Sequence, residues 1–276
     1  MTVLFEGGNV FKSEDKTPLT QRISTSEVPA TIAWLEKISK LDFTMDKDEE
    51  DVPIKWLGTT GRKQDKPNEP GSSGDLDLSV DESEISKDEL VAHLAAWCKQ
   101  AGIPEDKILN NKKDKSNWIE KTGDSVHFKC PIKGDPDNGF VQADFMFTSD
   151  PKFQQFSMRG GGDVFKGMHR HLLMASIAKA NGLKWSYKGG LVSRTTDEIV
   201  SKDPDHIAEI LLGPGSTAKD LQGVETILNR IKKLPNYEEL IKDFKDALAR
   251  DPSGPQLDES RVNTMDWFRS VINKIS

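Results

Sequence analysis

Three aspartates and one loop of small residues are the part of this chain whose types and spacing could do chemistry. Asp75 and Asp77 stand two apart in a stretch where acids alternate with Leu76, Leu78 and Val80. Side chains at i and i+2 of a strand leave the same face, so the two carboxylates are expected side by side, with the apolar residues turned to a core. Neighbouring carboxylates repel one another, and a bound cation is the usual means of offsetting that cost. A third acid, Asp144, interrupts the apolar run Phe140–Thr148 on the face shared by Gln142 and Met146, opposite Val141, Ala143, Phe145 and Phe147. Three carboxylates suffice to hold two divalent ions, Mg2+ or Mn2+, about 3.5–4 Å apart, which stabilise both the attacking and the departing oxygen of a transferred phosphoryl or nucleotidyl group. Upstream, the Gly58-Thr59 turn offers backbone N–H groups and a hydroxyl to a triphosphate. Arg62 and Lys63 add positive charge, and Ser73-Gly74 leads into the acids.

The elements that must position these residues can be read from periodicity. Val28, Ile32, Leu35 and Ile38 recur at helical spacing and predict a helix over 27–41, after an irregular arm over 1–26. The acidic linker 46–51 leads to an expected strand over 54–58. The prolines in 64–73 exclude regular structure there, and a second strand follows over 75–80. Ser86 and Glu89 form a capping box for a helix carrying Leu90, Leu94 and Trp97 and ending near Gly102. After a lysine-bearing loop over 107–121, alternation predicts a strand over 125–132, with Val126, Phe128 and Cys130 on one face. A dense turn over 134–139 and a returning strand over 140–148 follow. Beyond these come a helix over 163–180, a hairpin over 183–194 and amphipathic helices to the C-terminus. The fold class expected is α+β, a mixed sheet flanked by helices with a helical C-terminal region. It divides as an arm and helix (1–50), a catalytic core (51–150), an acceptor-contacting segment (151–200) and a helical region (201–276).

Composition narrows the classes of function. A hydrophobic fraction of 35% against 30% charged residues fits a soluble globular chain. No window reaches the apolar length of a membrane span, and the first residues lack the basic start and apolar middle of a secretory signal. A cytoplasmic protein without a membrane partner is expected, with Cys98 and Cys130 as reduced core thiols. The net charge of −7 argues against non-specific coating of nucleic acid. Residues 151–194 nonetheless hold eight basic residues against one acid, whereas 195–276 hold eleven against fifteen. A basic middle beside a carboxylate cluster suits a polyanionic ligand, or a merely solvated basic face.

Other motifs fail on inspection. The Gly58–Lys63 segment lacks the Gly-x4-Gly-Lys-Ser/Thr of a P-loop. An EF-hand starting at Asp75 would need Gly and Glu where Val80 and Ser86 stand. His169 and His171, two apart on a helix, diverge too far to chelate one ion.

What survives is a Gly-Thr turn, Ser-Gly-Asp-x-Asp, and a lone Asp on a later strand. In this the chain resembles the DNA-polymerase-beta-like nucleotidyltransferase superfamily, whose signature is Gly-Ser, Asp-x-Asp and a third Asp. The likeness is closest to the family X polymerases and covers about residues 55–194. Those enzymes follow the third acid with Thr-Gly-Ser-Asp-x-Phe-Asn-x-x-x-Arg. Residues 160–170 match this at Gly161, Asp163, Phe165 and Arg170. The resemblance implies a palm-like fold, a nucleoside or deoxynucleoside triphosphate as substrate and two metal ions on Asp75, Asp77 and Asp144. It further implies Asp163 against the incoming base, with Lys166 and Arg170 near nucleotide or template. The departures are specific. Thr59 replaces serine, Gln142 stands where an arginine commonly precedes the third acid by two, Lys166 replaces asparagine, and Met158-Arg159 replaces an aromatic pair. No lyase domain or helix-hairpin-helix pattern is legible before the core, so a dedicated gap-filling role is not expected.

Three functions follow as expectations. The first is metal-dependent transfer of a nucleoside monophosphate to a nucleic-acid 3′ end. The second keeps that chemistry with a protein or small-molecule hydroxyl as acceptor. The third is a non-catalytic nucleotide- or partner-binding protein. The oligomeric state is left open.

Overall fold

Alternating burial builds the sheet that carries the acids. The computed structural model describes residues 10–61, 71–109, 116–158 and 167–249. They fall into two units, 1–155 and 156–276. In chain order the first contains β1 (Ile23–Ser24), α1 (Val28–Ser39), β2 (Ser72–Ser73), β3 (Asp75–Asp81), α2 (Lys87–Gln100), β4 (Ile119–Lys121), β5 (Ser125–Pro131) and β6 (Phe140–Thr148). The main sheet has the order β3-β6-β5-β4 and is mixed, with β3 parallel to β6 and the other neighbours antiparallel. The class is therefore α+β, as expected.

One face of the sheet is a hydrophobic core. Leu76, Leu78, Val80, Val126, Phe128 and Phe145 are buried there against Ile32 and Leu35 of α1 and Leu90 and Leu94 of α2. Trp97 and Trp34 meet edge to face at 5.1 Å beneath Phe128. The helix α2 begins where the sequence places it. The Ser86 N–H donates to the Glu89 carboxylate at 3.0 Å and the Glu89 N–H donates to Ser86 Oγ at 3.2 Å, satisfying two donors at the helix end. Cys98 and Cys130 are unpaired and buried. Burial pushes the Cys98 thiol up to about 12 and raises that of Cys130, so neither is a thiolate nucleophile.

Two local expectations are corrected. Residues 54–58 do not form a strand. They meet β3 through an isolated bridge, Trp56 to Leu78, with Leu57 N–H on the Asp77 carbonyl and Ser79 N–H on the Lys55 carbonyl. The chain then turns at Gly58, whose φ of +52° ends any extension. The arm is not wholly irregular either. Phe11 and Ile23 are buried, and β1 pairs antiparallel with β2.

A helix the sequence reading did not foresee, α3 (Pro151–Ser157), leads into the second unit. There follow α4 (Gly167–Ala180), β7 (Leu183–Ser186), β8 (Gly190–Ser193), β9 (Ile199–Ser201), α5 (Pro204–Leu212), α6 (Val224–Ile231) and α7 (Tyr237–Ala249). The predicted hairpin is β7–β8, and β9 extends it to three antiparallel strands. Ser176 on α4 donates to the Leu240 carbonyl at 2.6 Å, tying α4 to α7.

Leu78 lies at the centre of β3 with no exposed surface. Leu78→Ala should cost about 3 kcal/mol of stability through lost burial and the cavity left behind. Urea unfolding followed by circular dichroism measures it, and a cost below ~1 kcal/mol would contradict this placement of the core.

Candidate metal centre

Strand register brings the three acids together. In the parallel pair, Asp75 lies opposite Gln142 and Asp77 opposite Asp144, all on the face turned away from α1 and α2. One carboxylate oxygen from each of Asp75, Asp77 and Asp144 lies within 4.8 Å of the others. All three donors are hard carboxylate oxygens, a set that suits Mg2+ or Mn2+ rather than zinc or copper.

The electrostatics show what this proximity costs. Burial, and then the Asp144 charge, raise the pKa of Asp75 to about 6, with the Arg22 guanidinium opposing the shift. Burial raises Asp77 well above the ordinary carboxylate range, and the charges of Asp75 and Asp144 add to it. A cation held among the three would reverse both effects, so the residues present fit a metal.

Asp144 is held from two sides. His127, opposite it in the β5–β6 register, places Nδ1 at 2.7 Å from Asp144 Oδ1. Gln142 Nε2 donates to Asp144 Oδ2 at 3.0 Å. His127 was not among the residues singled out in sequence. Its signal was the strand alternation that puts it opposite the third acid once the 134–139 turn is counted. Thr60 was missed as well. Its buried hydroxyl accepts the Asp77 N–H at 2.9 Å and ties the loop to β3.

Of the expected nucleotide contacts, Gly58, Thr59, Ser73 and Gly74 adjoin the acids. At Gly58 a Cβ would stand 2.8 Å from Asp77 Oδ2, so the turn packs directly on that carboxylate. Thr59 Oγ1 lies 2.5 Å from Ser73 Oγ, which in turn donates to the Asp75 carbonyl at 2.7 Å. Ser73 is fully buried, and its enclosed hydroxyl braces the loop. Exposed Arg22, from the arm, donates to Ser72 through Nε and Nη2, and its Nη1 would lie 3.4 Å from a Cβ at Gly74. It is the cation felt by Asp75, and the sequence reading overlooked it.

Arg62, Lys63, Gly161, Asp163 and Lys166 lie outside the described residues. Arg170, expected near nucleotide or template, belongs to the second unit. Its guanidinium is fully buried, donates to the Leu221 and Ser157 carbonyls, and stacks on Phe156. A guanidinium so enclosed has no face to offer a ligand. In the same helix, burial and the Arg170 charge depress His171 to about 3, and it accepts the Trp185 indole N–H at 2.8 Å. The basic stretch is partly neutralised too, since Lys179 pairs with Asp243 and Lys184 with Asp197. Among the described residues no helix is long and apolar enough to cross a membrane. Comparison of the chain with protein families, with curated proteins and with solved structures finds no match.

Two predictions follow from this geometry. Unfolded, Asp75 and Asp77 titrate near about 3.9. Folded and free of metal, they keep protons to higher pH, so the folded chain binds more protons than the unfolded one and its stability falls as pH rises from about 4 through 6 and above. Relative to Asp77→Asn, the wild-type melting temperature in EDTA should decline across that window, and Mg2+ should restore it above pH ~6. Parallel profiles for the two proteins would contradict the burial and crowding of these acids. Separately, Gly58→Ala strains a left-handed backbone and pushes on Asp77, so calorimetry should record Mn2+ affinity at least about tenfold weaker.

Proposed function

We propose that this protein is a metal-dependent nucleotidyltransferase of the polymerase-beta-like kind, transferring a nucleoside monophosphate from an NTP or dNTP to a hydroxyl. The observation that carries the reading is the convergence of Asp75, Asp77 and Asp144, from two parallel neighbouring strands, to within 4.8 Å. The Gly58-Thr59 turn packed against Asp77 supports it, because the resemblance assigns that turn to the triphosphate.

On this reading Asp75 and Asp77 would hold both metal ions and Asp144 would complete one of the two sites. Bound there, divalent ions supply charge stabilisation to the attacking and leaving oxygens. The acceptor hydroxyl oxygen bonds to the α-phosphorus as the bond to the pyrophosphate oxygen breaks. Pyrophosphate departs with the electron pair, and the hydroxyl proton passes to an Asp144 oxygen or to water. Gly58 and Thr59 orient the triphosphate, and Arg22 places a positive charge at the Asp75 end of the site.

The acceptor divides the reading. A nucleic-acid 3′ end suits the family X likeness. The burial of Arg170 and the pairing of Lys179 and Lys184 favour the second reading, a protein or small-molecule hydroxyl, because they remove three of the eight basic residues of 151–194 from what a polyanion would meet.

Labelled NTPs or dNTPs incubated with Mg2+, with and without an oligonucleotide, test both readings. Wild-type protein should release pyrophosphate, and Asp77→Asn, which keeps the side-chain shape, should fall to background. Label on the oligonucleotide supports the first acceptor, and label on protein or a small hydroxyl compound the second. Equal activity in wild type and Asp77→Asn would sink the proposal.

A further inference from the structure

The three acids are not held alike. Among the described residues no other side chain donates to the carboxylates of Asp75 or Asp77, whereas Asp144 receives one donor on each oxygen. The donors are themselves held. The Val10 N–H donates to Gln142 Oε1 at 2.8 Å, which fixes the amide so that its Nε2 faces Asp144. His127 Nε2 lies 3.0 Å from Thr122 Oγ1, so the imidazole is gripped at both nitrogens. A carboxylate only accepts, so His127 Nδ1 carries the proton of its bond to Asp144. His127, Gln142 and Asp144 are 3%, 5% and 7% exposed, so little water competes for these bonds.

We infer that His127 and Gln142 are positioning residues that fix the plane of the Asp144 carboxylate and pre-form the third metal ligand before any cation arrives. The inference rests on the metal-site reading above. Each carboxylate oxygen has two acceptor directions, and one on each is taken, so the remaining pair is aimed by the clamp rather than free to rotate. Asp75 and Asp77 have no such partners among the described residues. The network draws on the arm through Val10, on the turn before β5 through Thr122, and on both β5 and β6. The arm thereby becomes part of the site, a role its sequence does not announce. Partners of this kind set metal affinity by orienting the ligand, typically by 10–100-fold.

Mn2+ binding to the full chain, followed by electron paramagnetic resonance and calorimetry, tests it without relying on turnover. His127→Leu and Gln142→Met keep volume and remove the donor, and His127→Asn restores a donor near the Nδ1 position. One of the two Mn2+ sites should weaken about 10–100-fold in the first two variants and recover most of its affinity in His127→Asn. Circular dichroism reports folding, and Gln142→Met with His127→Asn decides the matter should His127→Leu not fold. Wild-type affinity in Gln142→Met, or a loss in folded His127→Asn as deep as in His127→Leu, overturns the inference. Asp77→Asn separates the two levels. If it abolishes Mn2+ binding while Gln142→Met binds like wild type, only the clamp fails. If Asp77→Asn binds like wild type, the metal-site reading fails and the clamp with it.

Discussion

Repulsion among three carboxylates is the constraint on which the first unit of this protein depends. The parallel pairing of β3 with β6 puts Asp77 directly opposite Asp144 and Asp75 one step along, on the sheet face away from the helices. Burial first, and then this crowding, raise the pKa values of Asp75 and Asp77 when no counter-charge is present. A chain does not gather three acids in this way for stability. The opposite face offsets the cost with a continuous apolar layer, in which Leu76, Leu78, Phe128 and Phe145 are fully buried against α1 and α2. Strand alternation makes the two faces inseparable, because the register that buries the leucines also aligns the acids.

The surroundings of the acids are built to different degrees. The loop before β3 is braced by Thr60 on the Asp77 N–H and by the Thr59–Ser73 hydroxyl pair, while Gly58 leaves room for nothing larger beside Asp77. Asp144 is enclosed by His127 and Gln142. Among the described residues Asp144 alone of the three acids has a side-chain donor on each carboxylate oxygen, so it is the one held in place.

The second unit uses its charges for architecture. Arg170 satisfies the Leu221 and Ser157 carbonyls in a buried interior, and His171 stays neutral against Trp185. A basic count read along the chain therefore overstates what a polyanion would meet, because part of that charge is spent within the unit or on acids such as Asp243 and Asp197.

Much of the fold and site was legible in the sequence wherever a period of two or 3.6 acts locally. Alternation in 75–80, 125–132 and 140–148 set the three long strands and the faces of Asp75, Asp77 and Asp144, and the Ser86–Glu89 pair set the start of α2. Strand order, register and long-range pairing were not legible, because nothing local says which strand a strand will meet. That is why His127 and Thr60 were missed, why 54–58 proved to be a bridge and turn, and why Arg22, some fifty residues from Asp75, went unnoticed. The surroundings of Arg170 were not legible for the same reason. Residue type declares that a guanidinium seeks partners, but burial alone decides whether they are a ligand's or the protein's own. By itself the sequence determined which groups could act and which way each would point from its strand. Only the tertiary structure decided which of them meet, because a carboxylate's chemistry is set by the charges and donors within a few ångströms of it, and those come from segments far apart along the chain.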